Sequence, residues 1–203
     1  MTEITIQQFE AILERAVIIL TEKLRNNDDY HDPEAFEKLV EEVLRDESRN
    51  LKATAEPTFK PNAFPDIKVG NFGVEVKYTG RDKWTSPGNS IFEGVGDRDV
   101  DKIYVIFGKT GGTSEVRWSR YEDCISDVRV VRAPSFAIDM EGSSKLFDKI
   151  AMHYAIFREL DKKEKLDIII EHYRNHMEPE DHLWWMKETQ TLPIQVKLSL
   201  IHI

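Results

Sequence analysis

Two carboxylates and a lysine lie close together in the sequence, in Pro65-Asp66 and in Glu75-Val76-Lys77. Hydrolysis of a phosphodiester requires a water molecule activated close to an anion, and positive charge that stabilises the crowded phosphorus centre. A hard divalent cation can supply both, and magnesium is usually held by one or two carboxylates together with water and phosphate oxygens. Asp66 and Glu75 are the residue types that such a site needs, and Lys77 adds a positive charge beside them.

The residues around these carboxylates predict a β-hairpin. Residues 66–69 and 73–78 alternate between polar and apolar side chains, and residues 70–72, which join them, favour a turn. Lys77 follows Glu75 by two positions, so strand alternation places both on one face, opposite the apolar side chains of the strand. Charged groups then occupy a core strand where burial alone would not put them. This local conflict indicates a functional site.

The combination of Pro65-Asp66 with Glu75-Val76-Lys77 resembles the motif of the PD-(D/E)XK nuclease superfamily, which includes most type II restriction endonucleases. The order of elements is similar as well, with a glutamate-bearing helix, the Asp strand, the Glu-x-Lys strand and a further strand over roughly residues 33–107. The resemblance implies an α/β, restriction-endonuclease-like three-layer fold, in which a central mixed β-sheet of four or five strands is flanked by helices.

The same resemblance implies roles for the individual residues. Asp66 and Glu75 would bind Mg2+ together with the backbone carbonyl of Val76, and Lys77 would orient or polarise the attacking water and offset charge in the transition state. The implied function is that of a Mg2+-dependent endonuclease that hydrolyses double-stranded DNA, of the type II restriction kind. Such an enzyme would act as a homodimer, with a cognate DNA methyltransferase as a further partner in a restriction-modification system.

Other interpretations of these residues stay open. Glu75 and Lys77 could form an ordinary cross-face ion pair on a surface hairpin, which contributes little energy. The chain could also be a non-catalytic DNA-binding or assembly subunit with the same fold, or a nuclease of DNA repair or of mobile elements. Magnesium-dependent cleavage of DNA separates the nucleases from the non-catalytic subunit.

Two helices are predicted before the hairpin. The first covers residues 6–25, where Thr5 and Gln8 have the spacing of a capping box and apolar residues recur at helical period. It is expected to be a core or dimer helix. The second covers residues 33–47, because an acid, a proline and a second acid at residues 32–34 form a typical start signal.

The second helix carries two candidate glutamates at the edge of its apolar stripe. A glutamate from the preceding helix often assists in enzymes of the resembled superfamily. Glu37 is preferred over Glu41 and is the fourth candidate catalytic residue.

The segment 81–96 follows the catalytic strand and is predicted to be a polar loop. A loop in this place could contact phosphates or bases, although an ordinary connector explains it equally well. The candidate DNA-binding residues in this loop are Lys83, Trp84, Asn89 and Ser90.

Further strands are predicted at residues 101–107, 114–118 and 128–131, which together with the hairpin would form the mixed central sheet. Residues 144–176 are predicted to be helical, with two helices that meet near residues 161–165. Residues 194–203 have the alternation of a terminal strand.

These elements indicate a single nuclease domain over residues 1–203. Its core would cover about residues 33–135 and its helical C-terminal part about residues 141–190, followed by the strand at 194–203. The chain is either a whole protein or a part of a longer one.

The composition, with 40% hydrophobic and 32% charged residues, is that of a folded globular protein. No apolar run approaches the roughly 20 residues that cross a bilayer, and the acidic N-terminus has no secretory signature. We therefore expect a cytoplasmic protein without a membrane partner. The single cysteine, Cys124, agrees with a reducing compartment, because it has no partner within the chain.

The net charge of −9 is unfavourable for contact with the phosphates of DNA. The charge is uneven, however, and residues 61–140 are nearly neutral, with 11 basic and 12 acidic side chains. We expect binding of double-stranded DNA to depend strongly on added divalent cation.

Overall fold

The computed structural model describes residues 4–50, 57–59, 63–93, 99–130 and 133–176. Two long helices open this part of the chain, a run of strands follows, and short and long helices close it, with a short 3-10 helix at Asp28–Tyr30. The other elements are α1 (Ile6–Asn26), α2 (Pro33–Asn50), β1 (Thr58–Phe59), β2 (Ile67–Val69), β3 (Phe72–Thr79), β4 (Thr85–Ser90), β5 (Lys102–Lys109), β6 (Glu115–Arg120), α3 (Tyr121–Cys124), β7 (Ile125–Val130), β8 (Pro134–Asp139), α4 (Leu146–Lys149), α5 (Tyr154–Phe157) and α6 (Lys162–His176).

The strands form two sheets. The larger has the order β1-β2-β3-β5-β6 and is mixed, because β3 and β5 are parallel whereas the other neighbours are antiparallel. The smaller has the order β4-β8-β7 and is antiparallel. Parallel neighbours require a crossover connection, and here the chain between β3 and β5 passes through β4 of the smaller sheet. The predicted α/β class with a mixed sheet is confirmed.

Helices α1 and α2 cover one face of the larger sheet. The side chains of β5 alternate between the two faces of this sheet, so that Tyr104 and Ile106 pack toward the two helices. The aromatic rings of this core contact one another, with Phe9 stacked 4.6 Å from Phe72 and 5.3 Å from Tyr104. This core contains Phe9, Leu13, Leu20, Phe36, Val40, Leu44, Val74, Tyr104 and Ile106.

The opposite face of the larger sheet packs against the smaller sheet and the short helices. Val105 and Phe107 of β5 point into this second core, where Phe136 lies among the rings of Phe147 and Phe157 at 6.0 and 6.1 Å. Two cores therefore sandwich one sheet. Strand β3, which is paired on both sides, runs between them.

The start of each long helix follows the predicted capping. In α1 the backbone N–H of Gln8 donates to Thr5 Oγ1 at 3.3 Å, and the N–H of Thr5 donates to Gln8 Oε1 at 2.9 Å. In α2 the Asp32 carboxylate accepts the N–H groups of Glu34 and Ala35 at 3.0 and 3.2 Å. Both helices are confirmed, and α2 continues three residues beyond its predicted end because Glu47 and Ser48 are also buried.

The predicted loop at 81–96 is corrected in part, because residues 85–90 form β4. This segment contains a proline and a glycine and has little intrinsic preference for a strand. It is extended because it pairs with β8, a strand that was not predicted, and the pairing shifts register between Pro87 and Ser90. The predicted strand at 128–131 is also corrected: β7 belongs to the smaller sheet and not to the central one.

The predicted helical region at 144–176 is confirmed only in its second half. The first half divides into α4 and α5, and Ala151 between them has a left-handed φ of 49°. Packing decides this break, because it places Phe147 and Tyr154 in one aromatic cluster with ring centroids 5.2 Å apart. In the described part of the chain, every helix is too short or too polar to span a membrane. The predicted strand at 194–203 lies outside the described residues.

Gly108 sets how closely α2 approaches the larger sheet. A Cβ atom at this position would lie 2.6–2.9 Å from three ring atoms of Phe36. The ring therefore occupies the space of a missing side chain. Because Glu37 follows Phe36 on α2, this contact also fixes where Glu37 lies.

We expect Gly108→Ala to lower the free energy of unfolding by about 1–3 kcal/mol, because the fully buried Phe36 ring must move. The sign is informative, since alanine is otherwise preferred to glycine inside a strand. Urea denaturation measures it. Gly80→Ala is the matched control, because a Cβ there meets nothing within 4 Å. Equal urea midpoints for Gly108→Ala and the wild type would contradict the expectation.

Candidate active site

Asp66 lies directly before β2, at the point where β3 loses its neighbour on that side. Strand β2 begins at Ile67, which pairs with Val74, while β3 continues to Thr79. The carboxylate of Asp66 accepts the backbone N–H of Val76 at 2.7 Å. The Asp66 side chain thus takes the place of a backbone acceptor on the neighbouring strand. Its hydrogen bond to the N–H of Val76 holds the carboxylate beside Glu75.

Glu75 and Lys77 lie on one face of β3, as predicted. Lys77 Nζ is 2.7 Å from Glu75 Oε1, a contact that requires both side chains to point the same way. Glu75 is only 5% exposed. The pair is therefore not an ion pair on a surface hairpin, since one partner lies inside the protein.

The second carboxylate oxygen of Glu75, Oε2, is buried and accepts no hydrogen bond from a donor among the described residues. The carboxyl group of Asp66 lies within hydrogen-bonding reach of Glu75, but the two can bond only when one of them carries a proton. A buried acceptor in this state costs about 1–3 kcal/mol relative to a satisfied one, and more if it is charged. Native proteins retain such atoms mainly where an ion, a water molecule or a substrate completes the contacts.

The carboxyl groups here have raised pKa values. Burial, opposed by the nearby Lys77 ammonium and reinforced by Asp66, raises the pKa of Glu75 to about 7. Burial also raises the pKa of Asp66, against the N–H of Val76 and the charge of Lys77. Negative charge is therefore unfavourable at this site as it stands, and added positive charge would relieve it.

Glu37 of α2 belongs to the same electrostatic cluster. Its pKa is raised first by burial and next by the negative charge of Asp66, while Lys77 lowers it. Glu41, one helical turn later, instead forms a salt bridge with Arg45. The structure thus brings Glu37 into the influence of Asp66 and gives Glu41 a different partner.

The backbone carbonyl of Val76 faces the same edge as Asp66. In an extended strand the N–H and the C=O of one residue point to the same side, and the Val76 N–H points to the Asp66 carboxylate. The carboxylates of Asp66 and Glu75 and the carbonyl of Val76 therefore lie close together, next to the first residue of β2. Among the residues that the structure describes, no three or more His, Cys, Asp or Glu side chains are grouped so that they could hold a metal ion by themselves.

The predicted DNA-contacting residues differ in how far they are exposed to solvent. Lys83 is exposed in the loop after β3. Trp84 is a correction: it is 3% exposed, its ring packs 5.6 Å from Phe107, and the guanidinium of Arg117 covers it at 4.2 Å. A large apolar ring gains more from the core than from solvent, so Trp84 supports the smaller sheet and offers no surface to a base.

Asn89 and Ser90 are bonded within the protein. Ser90 Oγ donates to the backbone carbonyl of Pro134 at 3.3 Å. The Asn89 carbonyl oxygen accepts the hydroxyl of Tyr121. Both residues lie at the end of β4, in the layer that covers the second face of β3.

One aromatic residue of this region, Tyr121, was missed by the sequence analysis. Tyr121 is fully buried, and its ring lies 5.2 Å from that of Phe64, two residues before Asp66. The negative charge of Glu75 helps to raise the pKa of the Tyr121 hydroxyl, together with burial as the main cause. No motif surrounds Tyr121 in the sequence, so only the packing of α3 against β5 reveals it.

Glu75→Gln is expected to stabilise the metal-free protein by about 1–3 kcal/mol at pH 8. Because burial raises the pKa of Glu75 from 4.5 to about 7, the folded protein keeps a proton between these values that the unfolded chain releases. Stability therefore falls as pH rises through this window. Glutamine has no proton to lose, so urea denaturation in EDTA at pH 5 and pH 8 should show a smaller loss for the variant.

Glu115→Gln is the control for this comparison. The adjacent Arg117 lowers the pKa of Glu115, so this carboxylate titrates below the window. Its removal should leave the pH dependence between pH 5 and pH 8 as in the wild type. An unchanged slope in Glu75→Gln would contradict the pKa assigned to Glu75.

No model of a known protein family matches the chain, and no curated protein matches it. The function is therefore inferred from the residues of the chain itself.

Proposed function

We propose that the protein is a Mg2+-dependent endonuclease that hydrolyses phosphodiester bonds of double-stranded DNA, with a fold of the restriction-endonuclease type. One observation carries the proposal. Glu75 is buried beside Asp66, accepts a hydrogen bond from Lys77 at 2.7 Å on one oxygen and, in the described part of the chain, accepts none on the other. A purely structural role would be expected to satisfy or expel that oxygen.

The residues fit a hard divalent cation. The donors are all oxygen atoms, from Asp66, Glu75 and the Val76 carbonyl, and magnesium typically takes one or two carboxylates and completes its shell with water and phosphate oxygens. Burial raises the pKa values of both carboxyl groups, so their charged forms are unfavourable until a cation offsets them. When bound, the cation would supply positive charge against the anionic phosphate.

The other residues would position the reactants. The Lys77 ammonium, held at Glu75, donates hydrogen bonds that can orient the attacking water and stabilise negative charge on the phosphate. The oxygen of that water bonds to phosphorus, and the bond from phosphorus to the 3′ oxygen breaks. The 3′ oxygen takes up a proton, and the phosphate remains on the 5′ end.

Glu37 would act from the helix side of the site. Its carboxylate lies close enough to Asp66 for the negative charge of Asp66 to raise the pKa of Glu37. From there it can accept a hydrogen bond from a water molecule next to Asp66 or receive a proton from it. Glu41 has its charge committed to Arg45.

Double-stranded DNA is the proposed substrate. Because the chain is acidic and repels phosphates, DNA binding would depend on the divalent cation. Arg81 and Lys83 are exposed in the loop directly after β3 and are suited to contact phosphates on either side of the site. A homodimer would cut both strands, as in type II restriction enzymes, and a DNA methyltransferase would protect host DNA in the same system.

Lys77→Ala and Glu75→Gln are expected to lower cleavage of plasmid DNA in MgCl2 by roughly 100-fold or more, because the first removes a charge that stabilises the reacting phosphate and the second removes a ligand of the cation. The measurement is the rate of nicking and linearisation, with EDTA as the metal-free reference. Lys68→Ala is the matched control, since this lysine lies on the neighbouring strand β2 and contacts Asp99 at 3.8 Å.

Two results would overturn the proposed function. One is a wild-type protein that cuts none of a varied set of DNA substrates in Mg2+ or Mn2+. The other is full activity in Lys77→Ala. If Asp66→Asn leaves Mn2+ binding unchanged by calorimetry, the chain is better described as a scaffold with this fold.

Glu37→Gln is expected to reduce the cleavage rate by roughly 10- to 100-fold, as outer-shell carboxylates of metal sites commonly do. Glu41→Gln should have a much smaller effect, because Glu41 is bonded to Arg45 and not to the site. Both glutamates lie on α2, so the two variants are closely matched. Equal losses in the two would show that Glu37 has no specific role.

A further inference from the structure

A second buried atom without a partner lies in the layer that covers Glu75. The amide nitrogen Nδ2 of Asn89 is buried and donates to no acceptor among the described residues. Asn89 is on β4, which forms the connection from β3 to β5 and contacts β3. Nδ2 of Asn89 thus has no acceptor and Oε2 of Glu75 has no donor among the described residues, and the two residues lie in adjacent layers.

Tyr121 fixes which way this amide points. Its hydroxyl accepts the backbone N–H of Asn89 at 3.4 Å and donates to the side-chain carbonyl oxygen of the same residue. The hydroxyl proton needs an acceptor, and the side-chain oxygen of Asn89 is the acceptor that the described contacts provide, so this oxygen lies on the Tyr121 side and Nδ2 points away from it.

The same tyrosine links Asn89 to the candidate site. The charge of Glu75 contributes to the raised pKa of Tyr121, so the two groups are within electrostatic range. The Tyr121 ring also packs on Phe64, next to Pro65 and Asp66. On the other side, a Cβ at Gly88 would lie 3.0 Å from the Tyr121 oxygen, so β4 is pressed against the hydroxyl.

Neither atom satisfies the other. If Nδ2 of Asn89 donated to Oε2 of Glu75, both would have a partner, yet both lack one. A phosphate that arrives with a divalent cation can supply both missing contacts, since its oxygen accepts from the amide while the cation contacts the carboxylate.

We infer that Asn89 is a further substrate-binding residue, whose amide Nδ2 donates a hydrogen bond to a non-bridging oxygen of the scissile phosphate, and that Tyr121 is its positioning residue. This inference rests on the proposed nuclease function. It assigns Asn89 to the phosphate and not to the metal, because an amide N–H cannot act as a metal ligand.

The test compares Asn89→Ala and Asn89→Asp with the wild type in the Mg2+-dependent plasmid assay. Asn89→Asp keeps the size of the side chain and the oxygen that accepts from Tyr121, but it removes the donor. Both variants should lower kcat by roughly 10- to 100-fold, the effect of losing one donor to a charged reacting group. Calorimetric affinity for Ca2+, which reports the carboxylates, should stay within about twofold of the wild type in Asn89→Ala and should not fall in Asn89→Asp, whose added carboxylate attracts the cation.

Two further variants separate positioning from general packing. Ser86→Ala on the same strand is the control, because the Ser86 hydroxyl bonds only the neighbouring carbonyl of Pro87 among the described contacts, and it should cut like the wild type. Tyr121→Phe should lose part of the activity. The double variant Tyr121→Phe/Asn89→Ala should be no slower than Asn89→Ala alone, because the tyrosine acts through the amide.

The outcomes are distinct. A wild type that cuts DNA while both Asn89 variants cut equally well overturns this inference and leaves the nuclease function intact. A loss of Ca2+ affinity in Asn89→Asp, or an additive double variant, also overturns it and indicates a structural water at this position. A wild type that cuts no DNA overturns the nuclease function and this inference together. If Asn89→Ala does not fold by circular dichroism, Asn89→Asp decides.

Discussion

The structure around the candidate site depends on one constraint, which is the burial of a carboxylate inside the protein. A carboxylate without water must be paired, protonated or bound to a cation, because its charge is otherwise too costly. Glu75 meets this need only in part, through Lys77 on the same strand. Burial therefore keeps its pKa near 7, and the neighbouring Asp66 adds to the cost. This arrangement therefore favours the binding of a positively charged group at one point of the sheet.

The ladder of the larger sheet is interrupted at this same point. Strand β2 begins at Ile67, opposite Val74, and the side chain of Asp66 accepts the N–H of Val76 that a longer strand would have bonded. This interruption satisfies the Val76 N–H and, within the described residues, leaves β3 without a strand partner on this side beyond Val74. It also explains why a carbonyl and two carboxylates can converge there, since only an open edge exposes backbone oxygen to a ligand.

The connection between the parallel strands β3 and β5 gives the site its second wall. Such crossovers are usually helical, but here the chain crosses through β4 and is held there by β8. A strand with a proline and a glycine packs closely on Tyr121, which brings an amide into the layer above Glu75. The stability lost on buried polar atoms is offset by two aromatic-rich cores, one on each face of the larger sheet.

The sequence by itself determined the local features. The caps and apolar stripes of α1 and α2, the hairpin of β2 and β3, and the shared face of Glu75 and Lys77 all follow from periodicity and from side-chain chemistry between near neighbours. Only the tertiary structure decided the rest. The strand character of β4, the break at Ala151, the burial of Trp84 and the positions of Tyr121 and Asn89 depend on contacts between residues far apart in the chain. Packing of distant side chains overrides local preference there, and no local pattern records such contacts.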